Sequence, residues 1–183
     1  MKDNRVCLYS QVENKSVFKK VGFYRDDLIA LERNYNQALA TNSYVELIKF
    51  KPSLVVSYFY TWSLLVAFLG RFIGFRVIIT GGADQISPDV NNGLRLLLSK
   101  ITAFLCLLLS EKILVSCSND KNNFYKLCFG FNFLKKKIRL ENHVVVPFQY
   151  KETREHKNFK ALTICWLGNE KNLIRKGVDC SIR

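Results

Sequence analysis

The chain has 183 residues, of which 49% are apolar and only 9 are glycine and 3 proline, so it carries enough apolar side chain for a packed core and is not a disordered tail. At this length one domain of about 150 residues, alone or with a fragment of a second, accounts for the sequence, and two complete domains would be a squeeze. Its 28 Lys and Arg against 15 Asp and Glu leave +13, which favours phosphate-bearing partners without choosing among nucleotide, anionic lipid and nucleic acid.

Six cysteines, at 7, 106, 117, 128, 165 and 180, form no C-x-x-C pair, and several sit in apolar runs as small hydrophobes. That usage is typical of a reduced, cytoplasmic chain. The histidines are His143 and His156, too few and too far apart for a zinc pattern with those cysteines, so no metal site is expected. Met1 to Tyr9 has too short an apolar stretch, and no small-residue cleavage site, for a secretory signal.

In chain order, Arg5 to Ser10 predicts a short strand and Gln11 to Lys20 a polar connection. Within that connection Lys15, Lys19 and Lys20 make a basic loop. Val21, Tyr24, Leu28 and Leu31 recur at spacings of three and four among charged residues, the pattern of an amphipathic helix that ends near Asn34 to Asn36. Gln37 to Thr41 follows as a strand and Tyr44 to Phe50 as a short helix, closed by Pro52.

From Pro52 to Gly70 no residue is charged, which approaches the ~20 residues of a membrane span. Its texture argues otherwise. Leu54 to Tyr60 is β-branched and aromatic, whereas the stretch from Thr61 reads helical and stops at Gly70 or Gly74. Phe75 to Thr80 is then an apolar strand running into Gly81-Gly82-Ala83-Asp84.

Asn92 to Ser110, leucine-dense and sparsely charged, predicts a helix that is buried on most faces or lies on a membrane. Ile113 to Cys117 is a strand. Ser118 is expected to cap the next helix, with Phe124, Leu127 and Cys128 on its buried face and Gly130 at its end. Ile138 to Leu140 and Val144 to Pro147 supply one more strand. The charged stretch 151–160 reads as a linker, and 161–183 as the first strand and helix start of a second domain, which leaves 1–150 as the first.

Alternating strands and helices with continuous apolar strands predict a doubly wound, Rossmann-like α/β domain with a parallel sheet. In that class ligands bind beyond the carboxyl ends of the strands. The turns at Ser10, at Thr80 to Asp84 and at Cys117 to Lys121 are therefore expected on one rim.

Several stretches in this order resemble the group-1 glycosyltransferases of the GT-B type, whose members often begin with a family-4-like N-terminal domain. They are Lys51-Pro52-Ser53-Leu54-Val55-Val56, Val77-Ile78-Ile79-Thr80-Gly81-Gly82-Ala83-Asp84, Ile113 to Ser118 with Lys121, Val145-Val146-Pro147, and Leu167-Gly168 followed by Arg175-Lys176-Gly177-Val178-Asp179. The resemblance implies transfer of a hexosyl group from a nucleotide sugar, a substrate rather than a resident cofactor, to a glycan or lipid-linked acceptor of a surface polysaccharide or glycolipid. It implies an acceptor side in the first domain, at Tyr58, Gly81, Gly82, Asp84 and Ser118. On the donor side it implies contact of Lys176 and Gly177 with the diphosphate, where an ammonium and backbone N–H groups at a helix start converge on phosphate.

The chain also departs from that family. Tyr58 and Gly81 stand where many relatives carry histidine, the first strand–helix turn has no glycine before Gly22, and Asn169 replaces a basic residue. The catalytic residues stay unassigned. The paired-glutamate donor region of the family is expected beyond Arg183, which implies a form inactive alone, or a non-catalytic docking subunit that recruits a separate donor-binding chain.

Lysines and Arg139 between 100 and 139, interleaved with Phe104, Phe124, Phe129, Phe131 and Phe133, imply a surface for anionic lipid on the inner face of a membrane. Nucleic acid is disfavoured, because neither an RNA-binding sheet signature nor a zinc finger accompanies the charge.

Overall fold

A computed structural model describes residues 4–141. The 142–183 expectations, including the second domain, its linker, Val144 to Pro147, both histidines, Lys176 and Gly177, lie outside the described residues.

Six parallel strands form one sheet in the order β2-β1-β3-β4-β5-β6: β1 Arg5–Tyr9, β2 Gln37–Thr41, β3 Leu54–Tyr58, β4 Arg76–Thr80, β5 Lys112–Val115 and β6 Ile138–Leu140. The register pairs Val6 with Leu54 and Tyr58 with Thr80. This is the doubly wound, Rossmann-like α/β arrangement the alternation predicted. The chain steps one way from β1 to β2, then returns past β1 to β3 and continues in the other direction. Right-handed crossovers consequently place the helices on opposite faces on either side of β1 and β3.

The side-chain alternation of the strands follows that division. Cys7, Tyr9, Val55, Val77 and Ile79 face the larger core beneath α3 (Tyr44–Phe50), α4 (Tyr60–Ile73), α5 (Gly93–Leu109) and α6 (Ser118–Leu127). Leu8 and Tyr58 face a smaller core with Phe18 of α1 (Val17–Lys20) and Tyr24 and Leu28 of α2 (Gly22–Asn34). Ser57 and Ser63 hydroxyls, 2.7 Å apart and both buried, join β3 to α4. The run from Pro52 to Gly70 is thus a strand and a helix, and among the described residues no helix is long and apolar enough to cross a membrane.

Several boundaries differ from expectation. The stretch Gln11 to Lys20 contains α1, because burial of Phe18 orders four residues too few to show a period. Lys15 is not a free basic arm: its Nζ lies 2.5 Å from the Glu46 carboxylate. Strand β3 ends at Tyr58, two residues early, because Phe59 turns to φ +64° and α4 starts at Tyr60.

Strand β5 stops at Val115. The cap of α6 is Cys117, whose extended backbone directs Sγ to accept from the Asp120 N–H at 3.4 Å, while Ser118 is already the first helical residue. That helix ends at Leu127, ahead of left-handed Phe129 and Gly130, and a short α7 (Asn132–Lys135) follows before β6. Phe124, Leu127 and Cys128 are buried as expected.

Helix α5 ends without a basic residue of its own in its last turn. Lys137 supplies the charge from a distance, its ammonium donating to the carbonyls of Leu107, Leu108 and Ser110 at 3.0, 2.9 and 2.8 Å. Burial pushes its pKa down, while three carbonyl acceptors at the negative end of a helix favour the cation. Lys137→Met retains the stem and removes those bonds. The expected loss is about 1–2 kcal/mol of unfolding free energy in urea titrations, and an unchanged midpoint would refute this capping role.

Candidate functional site

The carboxyl ends of β1 and β3 flank the point where the crossovers change face, which in open α/β sheets is where a crevice forms. Ser10 and Gln11 follow β1 there, Tyr58 and Phe59 close β3, and Gly81 and Gly82 follow β4. The Cys117 to Lys121 turn stands at the carboxyl end of β5, on the same rim. All three turns expected to share a rim do so, and Ser118 is exposed on it.

Phe59 organises the middle of the rim. Its N–H bonds the Thr80 carbonyl at 2.8 Å, extending the β3–β4 ladder by one step. The left-handed turn that follows releases the chain into α4. Such a φ is costly for a bulky residue, and its occurrence at the carboxyl rim of the sheet makes Phe59 a candidate for the backbone strain that clusters at functional sites.

Gly81 and Gly82 are also left-handed, at φ +77° and +74°. A Cβ on Gly82 would lie 3.3 Å from the Phe59 ring, and one on Gly81 3.5 Å from both Phe59 and Tyr58. Conformation therefore favours glycine at both positions, and at Gly82 the closeness of the Phe59 ring adds to it. Asp84 lies beyond it in a 3-10 turn at Ala83–Ile86, partly buried, and its negative charge helps hold the Tyr60 phenol protonated.

Tyr58 points to the α2 side, buried, where its hydroxyl donates to Asp27. Tyr24 packs edge-on against it with centroids 4.6 Å apart, and the Tyr24 and Ser10 hydroxyls are 2.7 Å apart. Phe23 and Phe59 complete an aromatic block around Tyr58. On the opposite face Tyr9 stacks on Tyr44 at 5.0 Å and donates to Gln11 Oε1 at 2.9 Å, and Thr61 donates to Gln85 at 3.0 Å.

Burial, first of all, raises the phenol pKa values of Tyr9, Tyr58 and Tyr60 far above the usual range, and for Tyr58 the Asp27 carboxylate adds to the effect. These groups stay protonated at neutral pH and serve as packing surface, not as bases; Tyr9 and Tyr58 also donate, to Gln11 and Asp27. Glu46, in contrast, is held below the usual carboxylate range by hydrogen bonds from Lys15 and then Thr41. What the rim presents is glycine backbone and aromatic rings, with buried, internally paired hydroxyls beneath them.

Of the residues expected at the site, Tyr58, Gly81 and Gly82 meet directly, Asp84 follows the same turn, and Ser118 stands apart at β5. The sequence reading omitted Asp27, Ser10's bond to Tyr24, and Phe59. Tyr24 was legible as a helix-face residue, but nothing in the local sequence signals that α2 delivers Asp27 to Tyr58, or that Phe59 adopts a left-handed turn.

No protein-family model matches the chain, and no curated protein matches it. Among solved structures it is similar to the Anabaena HepE crystal structure in complex with UDP, at 8% sequence identity and a TM-score of 0.48. The similarity covers 76% of this chain and 44% of that one, so the chain spans less than half the length of the structure it matches.

Proposed function

We propose that the chain is the acceptor-side domain of a nucleotide-sugar-dependent glycosyltransferase of the GT-B type, which transfers a hexosyl group to a glycan or lipid-linked acceptor at the inner face of an anionic membrane. The observation that carries this reading is the convergence of Tyr58–Phe59 with Gly81–Gly82 at the carboxyl ends of β3 and β4, beside the switch point of the sheet. Tyr58, Gly81 and Gly82 are among the positions to which the ordered motif resemblance assigned the acceptor. In this reading Asp84 accepts from a sugar hydroxyl, Ser118 borders the cleft, and Lys176 and Gly177 meet the donor diphosphate.

The test is incorporation of labelled hexose from a panel of nucleotide sugars into lipid and polysaccharide extracts, with the native protein purified from its source. Gly82→Ala, which brings a methyl group to 3.3 Å from the Phe59 ring at φ +74°, is expected to lose about 1–2 kcal/mol of stability yet stay folded by circular dichroism at the assay temperature, and to lower transfer by at least about tenfold. Incorporation that Gly82→Ala leaves intact would separate this rim from the acceptor. Absence of transfer by the purified protein, with stoichiometric co-purification of a second, UDP-binding chain, would establish the docking subunit instead.

A further inference from the structure

The sequence left α5 either buried on most faces or lying on a membrane, and the structure decides against the first. Only Ser99, Ala103, Cys106 and Leu107 of its 17 residues are buried. At about 100° per residue, Leu94, Leu97, Leu98, Ile101, Leu105 and Leu108 fall in one arc opposite that buried side. All six are exposed, Leu94 by 71%. No polar residue interrupts the arc, where a solvated helix would carry one.

Helix α4, packed beside α5, continues the surface with Leu65, Phe68 and Phe72, the last 72% exposed. Between the two helices runs an apolar groove of about 650 Å³ that includes Trp62 and Leu105. Patches this continuous on a soluble surface mark an interaction site.

Charge identifies the occupant. Neither helix contains an acidic residue. Arg95 and Lys100 stand on opposite flanks of the α5 arc, each about 110° from its centre, and exposed Arg71 flanks that of α4. A two-fold contact with a second copy would gather these cations around the shared patch with no acid on the helices to answer them. A protein partner would also expect roughly one hydrogen bond per 100–200 Å², and the α5 arc supplies no side-chain donor or acceptor. Anionic headgroups satisfy the flanking cations, and acyl chains ask nothing polar of the arc.

We infer that the outer face of α4 and α5 seats in the interfacial layer of an anionic bilayer. With 17 residues, about 25 Å, α5 lies in the plane of the membrane rather than crossing about 30 Å of hydrocarbon. Cys106 Sγ donates to the carbonyl of Tyr60, the residue that starts α4 at the rim. The thirteen residues of α5 before Cys106, about 20 Å of helix, therefore lead away from that contact on the side from which the chain leaves β4. The Cys106–Tyr60 contact ties the seated helix to the start of α4 at the rim. This narrows the membrane expectation, which offered α5 as lying on a membrane and a lysine and phenylalanine cluster running from Lys100 and Phe104 to Arg139; of that cluster Phe124 is in the core and Lys137 caps α5. The inference deepens the reading of a lipid-linked acceptor and rests on it for its purpose.

The experiment is binding of the full chain to phosphatidylcholine vesicles with and without phosphatidylglycerol. Leu98→Glu combined with Ile101→Glu is compared with a control that neutralises Lys135, Lys136 and Arg139. In a Trp166→Phe background, Trp62 emission with brominated lipid reports insertion. Expected are binding that requires phosphatidylglycerol, blue-shifted and bromine-quenched Trp62 emission, and a partition coefficient lowered at least about tenfold by the glutamate pair but less than about threefold by the control.

Equal binding by the glutamate variant, or Trp62 emission unmoved by vesicles, would overturn the inference. So would a dimer in light scattering that the glutamate pair converts to monomer without vesicle binding. Unchanged far-ultraviolet dichroism verifies that the variant is folded. Vesicle binding without sugar transfer would leave the inference standing and remove the enzymatic reading; transfer to a soluble acceptor without vesicle binding would do the reverse.

Discussion

Raising the pH is expected to unfold the domain cooperatively near about pH 11, with stability beginning to fall from about pH 9. Buried Cys7 and Cys106 thiols have pKa values pushed up to about 12 from an ordinary 9.0, by burial in both and by the Glu46 charge also in Cys7. Tyr9, Tyr24, Tyr58 and Tyr60 are raised as well, each chiefly by burial. In the native state these groups retain protons that the unfolded chain gives up.

The sign follows directly. Below the unfolded pKa values both states are protonated and the full stability is present; above them the unfolded state binds fewer protons, so stability falls as pH rises. Each such group lowers stability by about 1.4 kcal/mol per pH unit once its unfolded counterpart ionises. Two thiols acting from about pH 9 and phenols joining from about pH 10 exhaust a typical 5–15 kcal/mol within roughly two units. Urea titrations across this range measure the slope. A slope that stays flat through about pH 10.5, or tyrosinate absorbance that reaches the value for all 8 tyrosines while the fold persists, would show that these groups ionise in place.

The same burial explains how much was readable in advance. Strand β2 and helix α3 fall on the residues expected, because Gln37 to Thr41 and Tyr44 to Phe50 are bounded by local signals: Ser43 caps α3 through the Glu46 N–H, and Lys51 closes it in a left-handed turn ahead of Pro52. The parallel sheet was legible because its strands are apolar on both faces. Phe59 was not, since its aromatic neighbours favour a longer strand and only the glycine turn across from it explains the break.

Cysteine is not among the preferred caps, so Cys117 gave no warning. Helix α5 was ambiguous for a different reason. When almost every position is apolar the period that tells core from surface vanishes, and only packing reveals which leucines face outward. Within the site, the glycines and Tyr58 were accessible to sequence because strand ends locate them. Asp27 depended on how α2 crosses the sheet, a long-range fact.

Two glycine-to-alanine substitutions are expected to change stability in opposite directions, and the contrast isolates the contact on which α4 depends. Gly22 opens α2 at a negative φ with nothing within 4 Å of where an added methyl group would stand, so Gly22→Ala gains helix propensity and loses unfolded-state entropy, for up to about 1 kcal/mol of added stability. Gly70 lies buried within α4 against β4, where a Cβ would sit 2.7 Å from Val77 Cγ2, 2.8 Å from the Phe75 carbonyl oxygen and 3.1 Å from its ring.

The valine methyl and the ring have some freedom, but the carbonyl is backbone at the entry to a central strand. Relief requires α4 to lift from the sheet. The propensity gain of about 1 kcal/mol is outweighed by overpacking of about 3 kcal/mol or more, for a net loss of at least about 2 kcal/mol. Because α4 begins at the rim, behind Phe59, and carries part of the outward apolar face, the displacement should also weaken vesicle binding. Urea midpoints at constant m-value measure both changes; a Gly70→Ala protein as stable as the parent would mean that the helix and strand are less closely packed than the contacts require.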